Sequence, residues 1–166
     1  MSDQPFDLRR ARAQVYALVR ACPPGHVTTY GWLASGIGMP GHARLVGWIM
    51  NGTPAEAQIP AQRVVNREGV LTGAWAFGHP DTMAGLLRAE GVSFDAKGRV
   101  VMKAHGWDPL ADLAPDELER ILANAPSEFA DLPDPKEDLP AMLRRDLSGP
   151  FKVRTTNDAK DAEKDG

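Results

Sequence analysis

Cysteine is almost missing from this 166-residue sequence. Cys22 stands alone, so an internal disulfide and a multi-cysteine metal site are both excluded. No apolar run approaches the roughly 20 residues that a membrane-spanning helix needs. The opening stretch, Met1 to Leu8, is polar and acidic and does not read as a secretory leader. Positive charge is not in excess either: the formal net charge is −3, a balance that does not by itself suggest a nucleic-acid binder. His42, His79 and His105 with Asp81 follow no metal-ligand spacing, so neither a metal nor another cofactor is expected. No internal repeat is present. What remains is ordinary for a globular protein, 43% hydrophobic and 25% charged. The expectation is a cytoplasmic, monomeric protein with no membrane contact.

The net charge hides an asymmetry. Residues 1–109 carry 11 Lys and Arg against 8 Asp and Glu, a net +3, and residues 110–166 carry 8 against 14, a net −6. A mildly basic body of residues 1–109 followed by an acidic extension, 110–166, is compatible with phosphate binding by the body alone. In the body, Val15, Leu18, Val19 and Cys22 recur at helical spacing and predict a helix over 7–22, with Arg9, Arg10, Arg12 and Arg20 outside the buried face. Pro23-Pro24-Gly25 stops it. A single cysteine is a nucleophile or a small buried hydrophobe, and the place of Cys22 at the end of this pattern favours the second. Val27 to Tyr30 reads as extended, and Thr28 or Thr29 can cap a brief helix to about Ser35. Pro40 suits the first turn of a helix over 40–51. Two short helices around a glycine-containing turn make a helix-turn-helix pattern. Arg63–Val65 and Val70-Leu71 read as a small hairpin or wing. A helix over 80–90 places Met83, Leu86 and Leu87 inward, and a second hairpin turns at Asp95–Gly98. The fold class is mainly α with small β-hairpins, winged helix-turn-helix-like, its compact body ending near Trp107-Asp108-Pro109. Beyond it, Asp116–Ala123 reads as a short helix, 131–138 as linker, 139–147 as a further helix and 155–166 as a disordered end.

Five segments carry a resemblance when read in order: Gly25–Ala34, Gly38–Gly47, Ile59–Val65, Gly69–Gly73 and Leu86–Val92. Together they resemble the DNA-binding domain of the O6-alkylguanine-DNA alkyltransferases over about residues 9–109. Five linked segments are far more specific than any one of them. The family's signature is Pro-Cys-His-Arg, whose cysteine accepts the alkyl group. Here the same place reads Pro60-Ala61-Gln62-Arg63. Ala61 removes the thiol and Gln62 the imidazole base, and transfer needs both a thiolate and a group that lowers its pKa. Glu90 resembles the family's relay carboxylate and has no histidine to orient. This double loss resembles the alkyltransferase-like subfamily, which keeps the DNA-binding domain without the acceptor.

The resemblance implies a non-enzymatic partner for double-stranded DNA that contains O6-alkylguanine, its persistent complex flagging the lesion for nucleotide excision repair proteins. On the nucleoid it would be found when bound to DNA. It implies that Tyr30 pushes on the target nucleotide's phosphate and that Arg44 fills the vacated space in the stack, where a planar cation suits better than lysine. Thr29, Gly41, Ala43 and Gly47 belong to the same DNA-binding, base-flipping surface, the small residues letting a recognition helix approach the minor groove. Of these Gly47 is also the foremost candidate for tight helix packing. Pro60, Ala61, Gln62, Arg63, Val64 and Trp75 are expected at the lesion pocket, where a small Ala61 predicts room for adducts larger than methyl. Thr53 and Met83 depart from the family's asparagine and lysine. Three rivals follow from the residues: an alkyltransferase using Cys22 or another acceptor, a helix-turn-helix transcription regulator, and a scaffold acting through the acidic extension.

Overall fold

The computed structural model describes residues 6–135, 139, 140 and 143, with the backbone of Asp3–Gln4 and Phe151–Lys152. The helix expected over 139–147 lies almost wholly outside the described residues, and the end expected to be disordered lies outside them.

Strand β1 (Asp3–Gln4) is followed by helix α1 (Leu8–Ala21), whose N-cap Asp7 accepts from the Arg10 N–H at 3.2 Å. Strand β2 (Thr28–Thr29) leads straight into α2 (Tyr30–Gly36). Thr29 Oγ1 accepts from the Trp32 N–H at 3.0 Å and caps α2, as its residue type predicts. Helix α3 spans Ala43–Asn51. It starts later than expected because Pro40 and Gly41 form a turn in which the His42 N–H reaches Met39 O and Gly41 takes a φ of +86°.

Strand β3 (Val64–Val65) is no hairpin arm. It pairs in parallel with β2, Thr28 opposite Val64 and Thr29 opposite Val65. The β-branched pair is buried on both sides, as parallel strands require. The following turn, closed by Gly69 N–H to Asn66 O and Asn66 N–H to Val70 O, docks on the Val100 backbone instead of returning along β3. Gly69 has a φ of +86° there, and a Cβ would meet Val100 N at 3.0 Å. The second hairpin is present as a single antiparallel bridge, Phe94 to Val100, its turn held by Asp95.

Helix α4 (Thr82–Ala89) buries Met83 and Leu87. Leu86, expected inward, is 41% exposed, because a helix this short covers only one narrow stripe. Helices α5 (Met102–His105), α6 (Pro109–Asp112) and α7 (Pro115–Glu128) follow, and β4 (Phe151–Lys152) pairs antiparallel with β1.

Helix α7 packs along α1. Leu118, Leu122, Ala125, Phe129 and Leu132 are buried in one cluster with Val15, Tyr16, Leu18, Leu33 and Val46. The stretch expected as linker is therefore partly docked: Leu132 is buried, Pro133 O accepts from Arg12 Nη2 at 2.7 Å, and Asp134 pairs with Arg9. Arg12, expected outside the buried face, is buried for the same reason. A second, smaller cluster of Val27, Val65, Met83, Leu87, Val92 and Val100 supports α4.

Candidate nucleic-acid interface

The two buried strands place Tyr30 and the 60–65 segment side by side. Tyr30 opens α2 directly after β2, and Ala61–Arg63 form a 3₁₀ turn directly before β3. Between them lies a cavity of about 270 Å³. Tyr30, Ala61 and Val64 line it with Gly73, Ala76, Phe77 and Met83. The remaining wall is Met50, Asn51, Thr53, Pro54, Ala55, Gln58 and Ile59. Thr53 and Met83, the two departures from the family pattern, thus both border it. Thr53 Oγ1 donates to Met50 O at 2.8 Å and so closes the end of α3.

The ring of Tyr30 sits between small residues. A Cβ on Gly73 would meet the Tyr30 hydroxyl at 3.4 Å, and one on Gly47 would meet Tyr30 Cδ1 at 3.9 Å. The latter is an ordinary contact, so Gly47 is not held by tight helix packing. The Tyr30 hydroxyl accepts from Thr72 Oγ1 at 3.3 Å. Arg44 is exposed at the start of α3, Ala43 beside it is half-buried, and Gly41 is exposed in the preceding turn. Thr29 is 2% exposed. Its hydroxyl caps α2, so it sets the position of Tyr30 and presents nothing to a ligand.

Not every residue expected at the pocket lines it. Pro60, Gln62, Arg63 and Trp75 are absent from the cavity wall. Trp75 is 66% exposed on the 3₁₀ turn Ala74–Phe77, whose Ala76 and Phe77 do reach the wall. Gln62 and Arg63 turn toward Glu90, the C-cap of α4. Arg63 Nε and Nη2 donate to the two carboxylate oxygens at 3.0 and 2.8 Å, and Gln62 Nε2 donates to Oε2 at 2.9 Å. Arg63 Nη1 donates to Cys22 O at 2.7 Å. This fork-to-fork pair is nearly enclosed, with side-chain exposures of 12% and 17%. The Arg63 hydrogen bonds hold the Glu90 carboxyl below the usual carboxylate range, and Glu90 in turn raises the guanidinium of Arg63. Glu90 is therefore a saturated structural anion that ties the 60–63 turn to α4 and to the end of α1.

Cys22 is fully buried outside the cavity wall, and burial pushes its thiol up to about 12. It is a core residue. Among the described residues no group of three or more His, Cys, Asp or Glu side chains stands ready to hold a metal ion. Among them, too, no helix is long and apolar enough to cross a membrane. The wall from Met50 to Ile59 was not foreseen from sequence, where it read as helix end and loop. The one signal there was Thr53, where the resemblance implies an asparagine.

Helices α2 and α3 around a tight turn, with a small cavity between α2 and the 60–65 turn, define a helix-turn-helix DNA-binding fold. Residues 10–92 match the DNA-binding domain of 6-O-methylguanine DNA methyltransferase, and the chain belongs to that family. It is 32% identical to a DNA base-flipping protein of Vibrio parahaemolyticus over 96 residues, 58% of this chain and 94% of that protein. It is 37% identical to a DNA base-flipping protein of Escherichia coli over 99 residues, 57% of this chain and 72% of that one. Among solved structures it resembles S. pombe Atl1 in complex with damaged DNA containing O6-carboxymethylguanine. The TM-score is 0.55 at 29% identity, over 63% of this chain and all of that one.

Proposed function

We propose that the protein binds duplex DNA from the minor groove, turns an O6-alkylguanine out of the stack and holds it in the cavity without removing the alkyl group. The observation that carries this reading is the cavity between Tyr30 and Ala61, whose wall holds no thiol and no imidazole. A site without a nucleophile binds and releases; it does not transfer.

In this reading the exposed Arg44 enters the gap left by the base, which offsets part of the few kcal/mol that extrusion costs. Tyr30, held between Gly47, Gly73 and Thr72, presses on the rotated nucleotide. Ala61 leaves space for the O6 substituent, so adducts larger than methyl are accepted. The complex persists and serves as a flag for excision repair proteins. The solved structure of Atl1 with O6-carboxymethylguanine in damaged DNA supports a pocket of this kind.

The test is binding to two duplexes that differ only in one O6-methylguanine, at fixed salt because phosphate contacts are salt-dependent. Intact-protein mass is recorded afterwards. Tighter binding to the lesion with unchanged mass is expected. Equal binding to both duplexes would support a regulator or scaffold, and an added methyl mass would identify an acceptor elsewhere in the chain.

A further inference from the structure

One wall of the cavity is held from outside the family match. Thr53, Pro54, Ala55, Gln58 and Ile59 form that wall. Its backbone makes only local turns, Ala57 N–H to Pro54 O and Gln58 N–H to Ala55 O, both 3.1 Å. Gln58 has a φ of +49°, a left-handed conformation that is costly for any residue but glycine. Such a conformation persists only where the surroundings over-determine it.

The surroundings lead to α7. Arg20 of α1 donates from Nη2 to Ala57 O at 3.0 Å. The same guanidinium lies 4.5 Å over the ring of Phe129, the C-cap of α7. Phe129 is 6% exposed, and its ring meets Tyr16 edge-on at 5.7 Å. The buried Tyr16 hydroxyl lies beside Thr53, although no partner meets it with hydrogen-bond geometry. One aromatic ring thus supports two side chains of α1: Arg20, which bonds the backbone of the 53–59 segment at Ala57, and Tyr16, whose hydroxyl lies beside Thr53. Arg20 is otherwise exposed. A guanidinium stacked on a ring face is attracted to it, which favours the rotamer that also reaches Ala57 O.

We propose that Phe129 is a positioning residue for the cavity. Through Arg20 and Tyr16 it fixes the 53–59 wall, so helix α7 sets the shape of a pocket that it does not line. The binding consequence rests on the reading of the cavity as the lesion pocket; the mechanical one does not.

The experiment uses the full chain with Phe129→Ala, the conservative Phe129→Leu, and Arg20→Ala. Amide hydrogen exchange is read at Ala57 and Gln58 against Ile49 of α3. Affinities for the O6-methylguanine and unmodified duplexes are measured at one salt concentration. Phe129→Ala is expected to speed exchange at Ala57 and Gln58 about tenfold more than at Ile49. It is expected to lower the preference for the lesion about threefold to tenfold while leaving unmodified-duplex binding unchanged. Phe129→Leu restores part of both effects. Arg20→Ala, at an exposed position, gives the same result and carries the test should Phe129→Ala not fold. Equal acceleration at all three amides would overturn the proposal, as would an unchanged lesion preference in a protein whose wall has loosened. A wild type without lesion preference would end the lesion reading, and the exchange comparison would still decide whether the brace exists.

Discussion

Glu90 is fixed in its place by the side chains that donate to it. Two side chains donate to it, and Arg63 engages both oxygens. Removing one member of an enclosed pair leaves the other charge buried and unpaired, so Glu90→Ala is expected to cost about 3 kcal/mol in urea unfolding. The pH dependence has a definite sign. The folded carboxyl is held below its unfolded value, so its contribution is complete above the unfolded value and is lost as pH falls through the folded one. The wild-type urea midpoint therefore drops on acidification below about pH 4.5, and the Glu90→Ala midpoint drops less over that range. The same saturation bears on the proposal that the cavity transfers nothing. A cysteine introduced by Ala61→Cys has no base at Gln62 and no carboxylate free to recruit one, so its thiol stays near an ordinary pKa of about 8.5. Intact mass after incubation with O6-methylguanine duplex is expected to remain unchanged for this variant. A mass gain of one methyl group would show that the cavity alone activates a thiol.

At the scale of elements, local signals were legible and distant pairings were not. The helix over 7–22, a threonine cap at Thr28 or Thr29 and the Asp95–Gly98 turn all follow from residue type and spacing, and each is present, the cap at Thr29. The helix-turn-helix was legible for the same reason, although the start of α3 was set by Gly41 and not by Pro40. Val64-Val65 carries the composition of a strand, but nothing in a β-branched pair says that its neighbour is Thr28-Thr29, across two intervening helices. Likewise Arg12 and Leu132 could not be placed from sequence, because each is covered by an element far along the chain. Of the residues expected at the pocket, Ala61 and Val64 line the cavity, and Tyr30, expected on the DNA-binding surface, lines it too. The site was not legible along Met50–Ile59, whose importance comes from shape. Gly69 tests one of the unforeseen contacts. At a φ of +86°, with its Cα against the Val100 backbone, Gly69→Ala adds both backbone strain and a clash with a group that cannot rotate away. Its expected cost is about 3 kcal/mol, seen as a lower thermal midpoint. A change within about 0.5 kcal/mol would mean that the turn is free to lift off.

The whole molecule is more unified than its charge pattern suggests. The acidic extension supplies Leu118, Leu122, Phe129 and Leu132 to the core around α1. Each such side chain is worth about 1.5–3 kcal/mol when buried, against about 5–15 kcal/mol for the stability of a domain. A chain ended after residue 109 is thus expected to lose most of its cooperative unfolding transition in urea. Retention of the full transition would show that residues 1–109 fold alone. The charge is divided along the chain too: the family-matched part is the basic one, and Phe129, from the acidic extension, stacks on Arg20 behind the cavity wall. A final consequence belongs to Cys22. Sealed in the core with its thiol pushed up to about 12, it offers electrophiles no thiolate until the chain opens. Cys22 is the single thiol of the sequence, so the rate at which a thiol reagent labels the protein becomes a clock of how often the fold comes apart.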